Sequence, residues 1–126
     1  MQGLKNIIVT GANKGIGFGI ANYLAGKPGW NVIMACRNME LGQKSKAEIE
    51  AVNKASPVSL EKLDVSDSKS IDEFVEVMKK KYNQIDVLVN NAGVALKGDQ
   101  FDVEGIKWTY QTVTFLLFRT TMALLN

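Results

Sequence analysis

The sequence predicts an α/β protein: a doubly wound parallel sheet of four strands with helices on both faces. Three observations lead there. Short β-branched runs alternate with helical patterns along the chain, and helical connections between strands favour a parallel sheet covered on both sides. A glycine-rich loop joins the first strand to the first helix. One connecting segment carries a clear helix-period apolar stripe, so the strands it separates are joined by a crossover, which is right-handed. The simplest strand order is 3-2-1-4.

The elements follow in order. Residues 6–10 (NIIVT) are a short β-branched run ending at Gly11 and read as a buried strand. Residues 16–25 place Ile16, Ile20 and Leu24 at helical spacing before Gly26, Pro28 and Gly29 end the helix. Residues 31–36 (NVIMAC) are a second strand, and 41–52 an exposed helix with Leu41, Ile49 and Val52 as a thin apolar stripe. Residues 58–63 (VSLEKL) alternate strictly, as a third strand does. Ile71, Phe74, Val75, Met78 and Tyr82 form the clearest helical stripe, with Asp72 and Glu73 in the first turn and three lysines, 79–81, in the last, both favourable to the helix dipole. Residues 85–89 (IDVLV) are a fourth strand, and a last helix starts at about Val103.

Length and composition exclude several classes. The 126 residues suit one domain, 1–126, without a linker or repeat. A net charge of +2 is too weak to point to nucleic acid. There is no His, which removes His-based triads and His-ligated metals. Cys36 is the only cysteine, so there is no internal disulfide and no thiolate metal cluster, and a reducing, cytoplasmic setting fits best. The N-terminus lacks the pattern of a secretory signal. The apolar run 115–118 stops at Arg119, far short of the roughly 20 residues that cross a bilayer.

Gly11, Gly15 and Gly17 stand where a dinucleotide site needs them. Gly11 permits the tight turn off the strand, Gly15 lets a pyrophosphate approach the backbone, and Gly17 lets helix and strand pack closely. The helix N-terminus then offers N–H groups and partial positive charge to phosphates. No Gly-Lys-Ser/Thr follows, so this is not a nucleoside-triphosphate loop. A ligand-free glycine turn is the plain alternative. At the end of the second strand, where a carboxylate would take the adenosine ribose hydroxyls, the chain has Ala35-Cys36-Arg37. Arg37 can fork onto a 2′-phosphate, and Lys14 adds a second cation. Two charge-assisted bonds of roughly 1.5–3 kcal/mol each would favour NADP(H) about 10²-fold or more. Otherwise both are solvated surface cations.

Three motifs stand in order. The loop 10–17 is followed by Leu63-Asp64-Val65 after the third strand and Asn90-Asn91-Ala92-Gly93 after the fourth. This set resembles the classical short-chain dehydrogenases/reductases, whose fold is the Rossmann sheet. Gly11 to Phe18, Cys36-Arg37-Asn38 and Val89 to Ala95 look most like the NADPH-dependent carbonyl reductases within the family. The resemblance covers about residues 4–112. It implies a cofactor site of Gly11, Asn13, Lys14, Gly15, Ile16, Gly17, Arg37, Asp64, Val65, Asn90, Asn91, Ala92 and Gly93. Asp64 would accept from the adenine amino group and Val65 would cover the ring. Asn90, Ala92 and Gly93 would line the ribose and nicotinamide side, and Asn91 would tie the sheet. From the residues alone, Asp64 could instead cap the next helix, and Asn90-Asn91 could be a plain turn.

The family's chemistry uses a Ser and a Tyr-x-x-x-Lys beyond the fourth strand. The one such match here, Tyr23 with Lys27, lies near the end of the first helix just before Pro28 and reads as chance. At the family's Asn position after Thr112 stands Val113, and 113–126 depart from the pattern. The expectation is therefore the cofactor-binding half of an NADPH-dependent carbonyl reductase-like oxidoreductase, truncated, with no catalytic or metal-ligating residue assigned. A catalytically inactive NADP(H)-binding module and a non-functional fragment are the alternatives. The expected partner is the dinucleotide, with a small carbonyl substrate only if the other half completes the site. Neither nucleic acid nor a membrane is expected.

Overall fold

A computed structural model describes residues 3–92. The elements run β1 (Lys5–Thr10), α1 (Gly15–Ala25), β2 (Trp30–Cys36), α2 (Met39–Val52), β3 (Val58–Lys62), α3 (Ser68–Lys81) and β4 (Val87–Val89). The strands lie in the order β3-β2-β1-β4, every pair parallel, as the sequence predicts. The helix expected from about Val103, the residue Gly93 and the segment 113–126 lie outside the described residues.

Strand alternation divides the core into two layers. Ile8 pairs with Ile33 on one side and Leu88 on the other. With Ala35 these residues turn to one face and pack against Ile71, Phe74, Val75 and Met78 of α3. Their neighbours Ile7, Val9, Val32, Met34 and Cys36 turn to the opposite face and meet Ala21 and Ala25 of α1 and Ile49 of α2. Helices thus cover both faces, and each fully buried aliphatic side chain contributes roughly 1.5–3 kcal/mol.

The stripe of α3 is buried as its spacing predicts; in α1 and α2 Ile20, Leu24 and Ile49 pack in or against the core as expected, while Ile16, Leu41 and Val52 do not. In α1 the buried residues are Gly17, Ala21 and Ala25, and Ile16 is 77% exposed. In α2 they are Gly42, Ser45 and Ile49, and Leu41 and Val52 face outward. The reason is proximity. A Cβ on Gly42 would come within 2.8 Å of a Leu60 methyl, so small residues let α2 lie close on the sheet. Caps fix two helix starts: Asn38 accepts the Leu41 N–H at 3.0 Å, and Asp67 accepts the Lys69 N–H at 3.0 Å.

The fourth strand is shorter than expected. The Asn6 N–H bonds the Asp86 carboxylate at 2.7 Å, and the Asp86 N–H returns to the Asn6 carbonyl at 2.9 Å. The Asn6 donor is thereby taken by a side chain, and the paired register begins at Ile7 with Val87.

Candidate cofactor site

From β1 the chain passes to β2 and β3 on one side, then crosses to β4 on the other. The reversal opens a crevice at the carboxyl ends of β1 and β4, the place where open parallel sheets take ligands. A cleft of about 410 Å³ lies there. Gly11, Asn13, Lys14, Gly15, Arg37, Leu63, Asp64, Val65, Asn91 and Ala92 line it. All but Leu63 are residues that the sequence marks as candidates.

Each glycine of the loop has its own cause. Gly11 has φ +63° and Gly15 φ +59°, a region that other residues enter at a cost of roughly 1 kcal/mol or more. A Cβ on Gly15 would meet nothing within 4 Å, so the backbone is open to an incoming group. A Cβ on Gly17 would stand 2.5 Å from both the Asn91 amide nitrogen and the Gly11 carbonyl oxygen. Gly17 therefore lies behind the cleft, where it lets α1 close on the turn. Lys14 occupies the N-cap of α1 without a side-chain cap bond, and the first turn has no acid. Among the described residues no side chain caps the amide groups of that turn, and an anion suits them.

The crevice is tied together across the sheet. The buried Thr10 hydroxyl donates to the Val89 carbonyl (3.3 Å) and accepts the N–H groups of Asn91 (3.0 Å) and Ala92 (2.9 Å). The Asn91 side-chain amide donates to the carbonyls of Thr10 (3.1 Å) and Gly11 (3.2 Å). Asn91 thus joins β4 to the loop after β1, the tie expected of it. Thr10 is the centre of this network, and it is not among the candidate residues that the sequence marks. Its signal is a hydroxyl at the end of an otherwise apolar buried strand.

The charged groups surround the opening. Lys14 and Arg37 are both exposed at the cleft. The Asp64 carboxylate accepts the Ser66 N–H (2.9 Å) and hydroxyl (2.5 Å), while its own N–H donates to Ser70 (2.8 Å). Asp67, not Asp64, caps α3. A carboxylate has about four acceptor sites, so Asp64 keeps capacity for a ligand donor. Val65 is buried beside it, Asn90 is exposed and Ile16 stands outside the cleft lining, while Gly93 is not among the described residues. Beneath the loop, burial pushes the Cys36 thiol up, against the opposing pull of the Ala12 and Asn13 backbone amides. Cys36 is therefore a packed neutral thiol and not a nucleophile. Tyr23 is 65% exposed with the Lys27 ammonium 5.2 Å over its ring, a surface pair at the far end of α1. Among the described residues no His/Cys/Asp/Glu cluster could hold a metal, and no helix is long and apolar enough to cross a membrane.

The same architecture recurs in known proteins. Residues 5–126 match the family model for short chain dehydrogenases. Retinol dehydrogenase 12 of Bos taurus is 45% identical over 92 residues, 73% of this chain and 29% of that protein. Carbonyl reductase [NADPH] 1 of Mus musculus is 42% identical over 90 residues, 71% of this chain and 32% of that protein. An alcohol dehydrogenase from Thermococcus sibiricus, solved with 5-hydroxy-NADP, superposes with a TM-score of 0.79 at 28% identity, covering 97% of this chain and 52% of that one. The chain spans less than a third of the length of the two curated relatives. Because the family match runs from the first strand to residue 126, over a parallel sheet whose glycine loop opens at the switch point, the chain belongs to the short-chain dehydrogenase family of oxidoreductases.

Proposed function

We propose that residues 1–126 form the dinucleotide-binding part of an NADPH-dependent reductase of aldehydes or ketones. The observation that carries this is the cleft itself: two cations, Lys14 and Arg37, at its rim and no carboxylate at the end of β2. The cradle fits the group, since Gly15 leaves open space where a pyrophosphate would lie and α1 presents an uncapped first turn. Arg37 would hold the 2′-phosphate, Asp64 and Val65 the adenine, and Asn90, Ala92 and Gly93 the nicotinamide side. When bound, the nicotinamide supplies the hydride. The names of carbonyl reductase [NADPH] 1 and of the Thermococcus complex support the choice of cofactor.

One observation favours a second reading, an NADP(H)-binding module without turnover of its own. The Tyr23–Lys27 pair sits about eight residues along α1 from its cleft end, on the order of 12 Å at 1.5 Å per residue. A proton donor must reach within about 2.6–3.2 Å of the carbonyl oxygen. Titration of NADPH and NADH against the chain tests the cofactor assignment. NADPH binds more tightly, and Arg37→Asp lowers its affinity about tenfold or more while favouring NADH in relative terms. Equal affinities refute the choice of cofactor, and no binding of either refutes the dinucleotide site.

A further inference from the structure

The loop that bends over the cleft is held from the side by a residue of the neighbouring helix. Ser45 is buried on the inner face of α2, and its hydroxyl donates to the Asn13 carbonyl at 2.7 Å. Asn13 and Lys14 both line the cleft, so the peptide between them borders it. In a trans peptide the C=O and the following N–H point in opposite directions. Turning the Asn13 carbonyl toward α2 therefore turns the Lys14 N–H away from α2. The loop has further anchors: the Gly11 N–H on the Ala35 carbonyl at 2.8 Å and the Cys36 sulfur against the Ala12 and Asn13 amides, both from β2, and the Asn91 side-chain amide on the Gly11 carbonyl at 3.2 Å, from the turn after β4. Ser45 alone of these reaches the loop from a helix, and it alone holds the carbonyl of the Asn13–Lys14 peptide.

We propose that Ser45 is a positioning residue for the pyrophosphate of the dinucleotide. By fixing the plane of the Asn13–Lys14 peptide, it keeps a carbonyl oxygen out of the phosphate's path and a donor turned into it. The inference rests on the dinucleotide assignment of the cleft. A carbonyl that swung into the cleft would set a partial negative charge against the phosphate where a donor should stand. Losing one neutral hydrogen bond that orders a binding loop corresponds to about a tenfold loss of affinity. Because the effect acts on the pyrophosphate, it does not distinguish NADPH from NADH, unlike a change at Arg37.

Isothermal titration of the 126-residue chain with three probes, NADPH, NADH and 2′-AMP, tests this. The last carries the adenosine 2′-phosphate but no pyrophosphate. Ser45→Ala is expected to weaken NADPH and NADH alike, by about tenfold, and to leave 2′-AMP within about twofold. Ser45→Thr, which keeps the hydroxyl, restores most of the loss. In the ligand-free chain, amide exchange over residues 12–15 rises in Ser45→Ala and not in Ser45→Thr. Unchanged NADPH affinity in Ser45→Ala overturns the proposal, as does an equal loss of 2′-AMP, which marks general loosening of the fold. If the parent chain binds none of the probes, the dinucleotide assignment fails. The exchange measurement then judges the clamp alone, and unchanged exchange in Ser45→Ala overturns it.

Discussion

Gly17→Ala separates close packing from helix propensity. A Cβ at Gly17 lies 2.5 Å from both the Asn91 amide nitrogen and the Gly11 carbonyl oxygen, and 3.0 Å from the Gly11 carbonyl carbon. Two of these obstacles are backbone of the loop, so the methyl is accommodated only by moving α1 or the turn. Overpacking of this kind costs about 1–3 kcal/mol. Displacing Asn91 also weakens its bonds to the Thr10 and Gly11 carbonyls, each contributing about 0.5–1.5 kcal/mol. The gain in helix propensity from Gly to Ala returns about 1 kcal/mol. The net effect is a destabilisation of about 2–3 kcal/mol. With a urea slope of about 1–3 kcal/mol/M, the unfolding midpoint falls by roughly 0.7–3 M. Gly19 is the internal control: it lies in the same helix, is exposed, and a Cβ there would meet nothing within 4 Å. Gly19→Ala should raise stability by about 0.5–1 kcal/mol. Urea unfolding followed by far-ultraviolet circular dichroism reads both. If Gly17→Ala unfolds at the parent midpoint, or if the two variants shift in the same direction, the close approach of α1 to the turn is not what the fold depends on.

Three other outcomes are expected. The Asn6 N–H and the Gln84 side chain hold the Asp86 carboxyl below its ordinary value of 3.8, so its contribution is present above that pH and is lost as pH falls through the lower folded value. Acid unfolding of Asp86→Asn should accordingly show a shallower loss below pH 3.8 than the parent chain does. Among the described residues β4 pairs with β1 alone and Val87 is 37% exposed, so the chain should associate as concentration rises, and Val87→Lys should reduce this in light scattering. NADPH oxidation at 340 nm with a reactive quinone should show no turnover by this chain. Robust turnover that vanishes in Tyr23→Phe would overturn the assignment of Tyr23 as a surface residue.

The sheet order was legible because alternation of element types and the right-handed crossover leave few topologies. The stripe of α3 was legible because large apolar side chains at 71, 74, 75 and 78 do the burying. Apolar periodicity finds Ile20, Leu24 and Ile49 but misplaces Ile16, Leu41 and Val52, for the opposite reason. There the closest contacts are made by Gly17, Ala21 and Ala25 in α1 and by Gly42 and Ser45 beside Ile49 in α2, small residues that contribute little to an apolar stripe. The candidate site was legible where function acts through local geometry, as at Gly11 and Gly15, whose positive φ values belong to the turn itself. Thr10 and Ser45 were not, because their hydrogen bonds join residues 79 to 82 and 32 positions apart, and no spacing rule links such pairs.

The tie between Thr10 and Asn91 also sets a timetable. Its partners are separated by 81 positions, whereas β1 meets β2 within about 25 residues. A ribosome adding about 5–20 residues per second needs on the order of 4–16 s to bring Asn91 into existence after Thr10. Throughout that interval one flank of the central strand has no neighbour, although the β1–β2–β3 side can already close. The nascent chain therefore carries an apolar, hydrogen-bond-hungry strand edge for seconds, a natural point for a chaperone to attend. Slower translation of residues 63–91 would lengthen that exposure without altering a single contact of the finished fold.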